Sequence, residues 1–256
     1  MSPGLDIPSA EREVFSNPPL KVMLGQVRFP PVLRISDLPS LVPFQDAIRH
    51  VFPTFAQERQ ISFTLGPDMP ASTSAQQVFR FSTSDGSWSA VLNTEALTLE
   101  ADVAVQYTSY DEFVERFRLV WGATLEHFRP SQVVRQGLRY VDHIEGTRSA
   151  AEWVSLINPE LLGPLIGAFG EGVEQSVSEL RFPRDDGVLV FKHGMLPLGP
   201  EAKMGYLLDF DYFTETAVDT DLESVVDRFD RYHDLVYSFF RWCLTDEAVA
   251  GFRREP

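Results

Sequence analysis

A single cysteine, Cys243, is all the thiol chemistry in the 256-residue chain. One cysteine excludes an internal disulfide framework and every multi-cysteine zinc or iron–sulfur site, and it points to a reducing compartment. There is no basic-then-apolar opening and no run of about 18 apolar residues, so a cytoplasmic chain without a leader or a spanning helix is expected. Basic residues are scarce: 22 Lys and Arg stand against 37 Asp and Glu, a net charge of −15. The deficit is uneven. Residues 1–150 hold 13 basic and 17 acidic side chains (−4), whereas residues 151–256 hold 9 and 20 (−11).

A field of that sign opposes nucleic-acid phosphates and anionic lipid. The partner it favours is a protein with a basic surface; no direct nucleic-acid or membrane binding is expected, and a homodimer is a further option. Solubility alone is the plainer explanation of the charge. Motifs of catalysis are also missing. No Gly-rich phosphate loop, Gly-x-Ser-x-Gly elbow or Cys/His zinc spacing occurs. The five histidines, His50, His127, His143, His193 and His233, fall in separate elements, none paired at the spacing of a helical zinc motif. His127 and His233 read as surface or boundary residues, and Cys243 as inert packing. The expectation is therefore no enzyme, no cofactor and no metal.

What the chain does have is an apolar fraction of 44% with 20 Phe, ample for a packed core. Residues 1–15 are polar and aperiodic and read as a disordered tail. Val22–Phe29 alternates as a strand stopped by Pro30-Pro31, and Phe44–Phe52 has helical spacing ended by Pro53. Strands follow at Ile61–Leu65, Val78–Ser82, Ser87–Asn93 and Ala96–Gln106. Asp85-Gly86 marks a hairpin turn, since both residues tolerate positive φ. Ser109-x-x-Glu112 is a capping box opening a long helix to Phe128, its apolar stripe Phe113, Phe117, Val120, Trp121, Thr124 and Phe128. Val133–Ile144 reads as a strand.

The same order recurs. Arg80-Phe81-x-x-x-Asp85-Gly86 returns as Arg181-Phe182-x-x-x-Asp186-Gly187, and Thr220-x-x-Glu223 repeats the capping box ahead of a helix striped by Val226, Phe229, Tyr232, Val236, Phe239 and Cys243. Each helix follows a strand with two carboxylates on one face, Glu100 and Asp102, then Asp209 and Asp211. This predicts an α+β fold of two similar halves, each an antiparallel sheet packed against one long helix. The halves would span residues 16–148 and 149–256 by internal duplication, with one continuous domain as the alternative. Between them, Ala150–Phe169 is broken by Pro159, Gly163 and Pro164 into two short helices.

Arg135-Gln136-Gly137-Leu138-Arg139 is the most unusual segment. Period-2 geometry puts Arg135, Gly137 and Arg139 on one face, where two guanidiniums beside a missing side chain suit an anion. Arg28 joins them if the first strand lies alongside. Pairing of these arginines with Glu100 and Asp102 is the competing reading. The carboxylate strands themselves read as solvated or arginine-paired faces, with a hard-cation site or an acid–base pair as the alternative.

Asn17-Pro18-Pro19, Gln26-Val27-Arg28-Phe29-Pro30-Pro31, Gly137-Leu138-Arg139-Tyr140-Val141 and the closing Leu244-Thr245-Asp246-Glu247 together resemble a sporadically distributed bacterial family of uncharacterised proteins about this length. The resemblance carries no activity and no site residues. A patchy distribution implies an immunity, antitoxin-like or defence-associated role. The function expected is thus a non-enzymatic protein-binding or regulatory module; the alternative is a sensor holding a small anionic ligand or nucleotide between the halves through Arg28, Arg135 and Arg139.

Overall fold

The computed structural model describes residues 5, 7–66, 69–103, 109–146, 150–167, 170–199, 201–214 and 216–253, with residues 60–66, 69–75, 150, 151 and 171 described through their backbone alone. Among the described residues nine strands are formed: β1 (Leu20–Arg28), β2 (Thr54–Gly66), β3 (Met69–Ser82), β4 (Trp88–Asn93), β5 (Ala96–Ala101), β6 (Arg135–Glu145), β7 (Ser176–Arg184), β8 (Gly187–Leu198) and β9 (Lys203–Phe213). They belong to one sheet in the order β2-β3-β4-β5-β1-β6-β9-β8-β7. The helices are α1 (Leu38–Ile48), α2 (Tyr110–His127), α3 (Ala150–Leu156), α4 (Pro159–Leu162), α5 (Leu222–Cys243) and α6 (Asp246–Phe252).

This corrects the expected architecture of two separate half-sheets, each on one long helix. The reason is the behaviour of sheet edges: separate sheets would each expose two rows of unpaired N–H and C=O groups, and one continuous sheet has fewer edges to protect. The two short helices expected within Ala150–Phe169 form as α3 and α4, and α6 is an addition to the expected set. The compact units also cut across the sequence: one holds Leu24–Gln136 with Thr216–Val226, the other Met1–Met23, Gly137–Glu215 and Asp227–Pro256. Strands β1 and β6 and helix α5 contribute residues to both.

In the unit built on Leu24–Gln136, β3 and β4 form the hairpin expected at Asp85-Gly86. Gly86 takes φ 76°, and the Asp85 carboxylate accepts from Thr83 Oγ1 (2.6 Å), Ser87 Oγ (2.8 Å) and Ser87 N (3.0 Å). Those donors, Thr83 first, hold the Asp85 carboxyl down at about 2. Strand β5 stops at Ala101, so Asp102 lies beyond it, its amide bonded to the Ser87 carbonyl at 2.7 Å. The expected extension to Gln106 runs into 104–106, outside the described residues. Helix α2 is capped as expected, Ser109 Oγ accepting from the Glu112 amide at 3.3 Å, and its stripe is buried from Phe113 to Phe128. Helix α1 begins earlier than its spacing suggested and contains Pro43. It packs Phe44 on Phe81 and Phe128, with ring centroids at 5.3 and 5.6 Å.

In the other unit, α5 buries Phe229, Tyr232, Val236, Phe239 and Cys243; Val226, also buried, belongs to the first unit. Phe239 meets Phe191 of β8 and Phe210 of β9 at 4.6 and 5.4 Å. At the start of α5, which belongs to the first unit, the capping box expected at Thr220 is displaced by one residue: the Asp221 carboxylate accepts from the Ser224 amide at 3.0 Å. Glu223 pairs instead with Arg118, and the Thr220 carbonyl accepts from Trp121 Nε1 at 3.1 Å. The second turn, Asp185-Asp186, is tied down by two tyrosines: Tyr212 donates to the Asp186 carboxylate at 2.6 Å and Tyr232 to its carbonyl at 3.1 Å. Residues 10–17 lie as a strap on α5 and α6. The Ala10 amide donates to Ser238 Oγ, the Glu13 amide to Tyr237 Oη, and the Asn17 amide to the Phe252 carbonyl.

Candidate functional site

The three arginines singled out by the sequence have different surroundings. Arg139 makes a two-pronged pair with Asp209, Nε to Oδ1 and Nη2 to Oδ2 both at 2.9 Å. The register explains it: Arg139 stands opposite Asp211 and Val141 opposite Asp209, so all four share the face of the sheet away from α5. The carboxylate raises the already high Arg139 pKa. Arg28 is half-exposed, with Glu95 at 3.6 Å. Arg135 opens β6 beside it, the Val134 amide donating to the Arg28 carbonyl at 2.8 Å. Arg28 and Arg135 belong to one unit and Arg139 to the other. Of the carboxylates expected to pair with them, Glu100 has another partner. Glu100 pairs with Arg80 at 2.9 Å, and Arg80 reaches Glu58 at 3.1 Å.

Below Arg139 and Asp209 the chemistry changes with depth. Asp142, on the α5 side of β6 between Tyr140 and Ile144, is 5% exposed. Burial, with a smaller contribution from the charge of Asp209, raises its carboxyl to about 8, so it is protonated at neutral pH. The same burial raises the Cys243 thiol, which is completely enclosed. His233 is buried, not at the surface as expected; desolvation lowers it to about 3 and its Nδ1 lies 2.9 Å from Tyr140 Oη. Among the described residues no group of three or more His, Cys, Asp and Glu is placed to hold a metal. Nor is any described helix long and apolar enough to cross a membrane.

The feature that sequence reasoning missed is the outer edge at β7. Among the described residues it is the last strand in the order, pairing with β8 alone. The register runs unbroken from Ser176↔Met195 to Arg184↔Gly187. Pro183 has no N–H, which suits a position facing away from β8. Alternation then turns the amides of Val177 and Glu179 outward as well. On the same strand Val177 is 45% and Leu180 41% exposed, an apolar pair at a sheet edge. Val177 lies on the face away from α5 and Leu180 on the α5 side, where Phe182 meets Phe239 edge-on at 5.9 Å. The available signal was Pro183 itself, since proline within a strand marks an edge.

Against the inner end of β7 lies a cavity of about 20 Å3, room for one water, lined by Ser176, Ser178, His193, Tyr206 and Leu161 among others. Tyr206 Oη donates its one proton to the Leu161 carbonyl at 3.1 Å, so the 2.9 Å contact with His193 makes Nδ1 the donor there. Burial lowers the His193 pKa, keeping the ring neutral with Nε2 as an acceptor. Gly194 is required beside it: at φ 150° a side chain would strike the Ser176 carbonyl. The sequence matches no family model and no curated protein.

Proposed function

We propose that the chain is a non-catalytic binding module that engages an extended segment of another polypeptide by strand addition along β7. The observation that carries this reading is the outward-facing Val177 and Glu179 amides beside exposed Val177 and Leu180. Strand addition draws affinity from main-chain hydrogen bonds and specificity from the alternating side chains. The arginines suit a structural part better than a ligand-sensing one, because Arg139 is already held in two places by Asp209. Charge narrows the partner: with 9 basic against 20 acidic residues in 151–256, a neutral or basic segment is favoured. A cytoplasmic, regulatory role fits, and the resemblance to a sporadically distributed bacterial family favours an antitoxin-like or defence-associated one.

Glu179→Pro tests this. It removes one outward amide and leaves the bonds to β8 in place, as Pro183 does. In pull-downs from the native host at moderate salt, a stoichiometric protein should be held by the wild type and lost by the variant. Equal retention by both would remove the edge from the binding surface.

A further inference from the structure

We infer that the strand received by β7 is the β7 of a second copy of this chain, paired antiparallel about a two-fold axis through Leu180; this rests on the edge reading above. A two-fold interface is self-complementary: if residue i meets j, then j meets i. Strand β7 reads SVSELRFPR. Outward-facing positions must meet outward-facing positions to share main-chain bonds, which leaves a few registers. Centred on Leu180, Glu179 of each copy stands opposite Arg181 of the other. Val177 meets Pro183, and Leu180 meets Leu180. Opposite charges face each other, Val177 and Leu180 face apolar partners, and Phe182, held against Phe239, faces Ser178. Sliding the partner by one repeat either way puts Glu179 on Glu179 or Arg181 on Arg181, which costs stability.

The side chains stand on the faces this needs. Glu179 is opposite Lys192, and both lie on the face away from α5, with Lys192 Nζ 3.1 Å from Glu179 Oε2. Arg181 shares that face, its guanidinium 5.9 Å from the Phe213 ring centre. Leu180 lies on the α5 side, where pairing would cover its exposed surface. Val177 and Glu179 would donate to the carbonyls of Pro183 and Arg181 in the other copy. Charge agrees too. In a stretch with a large acidic excess, β7 carries Arg181 and Arg184 against Glu179 alone, so the incoming strand is locally basic. Native edges commonly use charge and proline to repel neighbours; here the charges are arranged so that one neighbour is accepted.

A single strand pair is smaller than a standard interface, so dissociation on the order of 10 μM is expected. Sedimentation equilibrium of the full chain from about 1 to about 200 μM should show the mass rising from 28.9 kDa toward twice that value. Glu179→Arg alone and Arg181→Glu alone should each remain monomeric, since each places like charges opposite. The double variant E179R/R181E should dimerise again, and mixing the two single variants should give a heterodimer. A wild type at monomer mass throughout, or a mixture of single variants that stays monomeric, overturns the proposal. A monomeric wild type that still loses a captured protein on Glu179→Pro excludes the second copy and keeps the edge as a binding surface; a monomer that captures nothing ends both.

Discussion

Glu100 and Asp209 occupy comparable places in the sequence, one carboxylate on the strand before each long helix, yet the structure gives them different work. Glu100 is 38% exposed and pairs with an Arg80 shared with Glu58. Asp209 is 9% exposed and holds Arg139 by both prongs above a protonated, enclosed Asp142. The first cluster is a surface network, where water competes with every contact and each pair contributes little. The second lies at the boundary of the core, where removing one partner strands a desolvated charge. Similar spacing thus predicts similar placement, not similar energetics; depth decides the rest.

The largest break in this comparison should come from Asp142. Its folded pKa of about 8 lies above the unfolded value of about 3.9, so its stabilising contribution is complete below about pH 3.9 and is lost as pH rises through 8. Asp142→Asn cannot ionise. It should therefore be more stable than the wild type at pH 8 by on the order of 5 kcal/mol, with the difference vanishing near pH 4. Urea unfolding across that range measures it, and a constant difference at every pH would mean that Asp142 does not titrate as described. Next in size, Asp209→Ala should cost about 2 kcal/mol, because Arg139 loses both charge-assisted bonds while still 44% exposed to water. A loss under about 0.5 kcal/mol by chemical denaturation would place this pair with the surface network. Smallest of all, Arg80→Ala should cost under about 1 kcal/mol and shrink further in high salt. A larger, salt-insensitive loss would show that the two clusters are alike after all.

Local chemistry was legible in the sequence. Asp85-Gly86, the Ser109 cap and the two apolar stripes depend on neighbours within a few residues, and all are present. Where two candidate caps adjoin, as at Thr220 and Asp221, spacing alone cannot choose between them. The continuous sheet was not legible, because the pairing of distant strands leaves no local mark. The length of β2 and β3 was hidden for another reason: their Ser, Thr and Gln residues, such as Gln57 and Gln77, lack the apolar alternation that marks a half-buried strand. Asp142 was visible only as the one acid among Leu138, Tyr140 and Ile144. Recognising it as buried requires knowing that α5 covers that face. For the candidate site the position is similar. Arg139 was read correctly as a charged strand residue, but its partner lies on β9, 70 residues away. The β7 edge was announced only by Pro183.

The strap of residues 10–17 gives the molecule a late-closing seam. Glu13 meets Arg253 across 240 residues of chain, and the Asn17 amide reaches the Phe252 carbonyl. Contacts of such separation come after the local hairpins and helices during folding, since nearly the whole polypeptide must be ordered before the ends can meet. The same seam should be first to open in the native state, so amide exchange at Ala10, Glu13 and Asn17 would run ahead of exchange within α5.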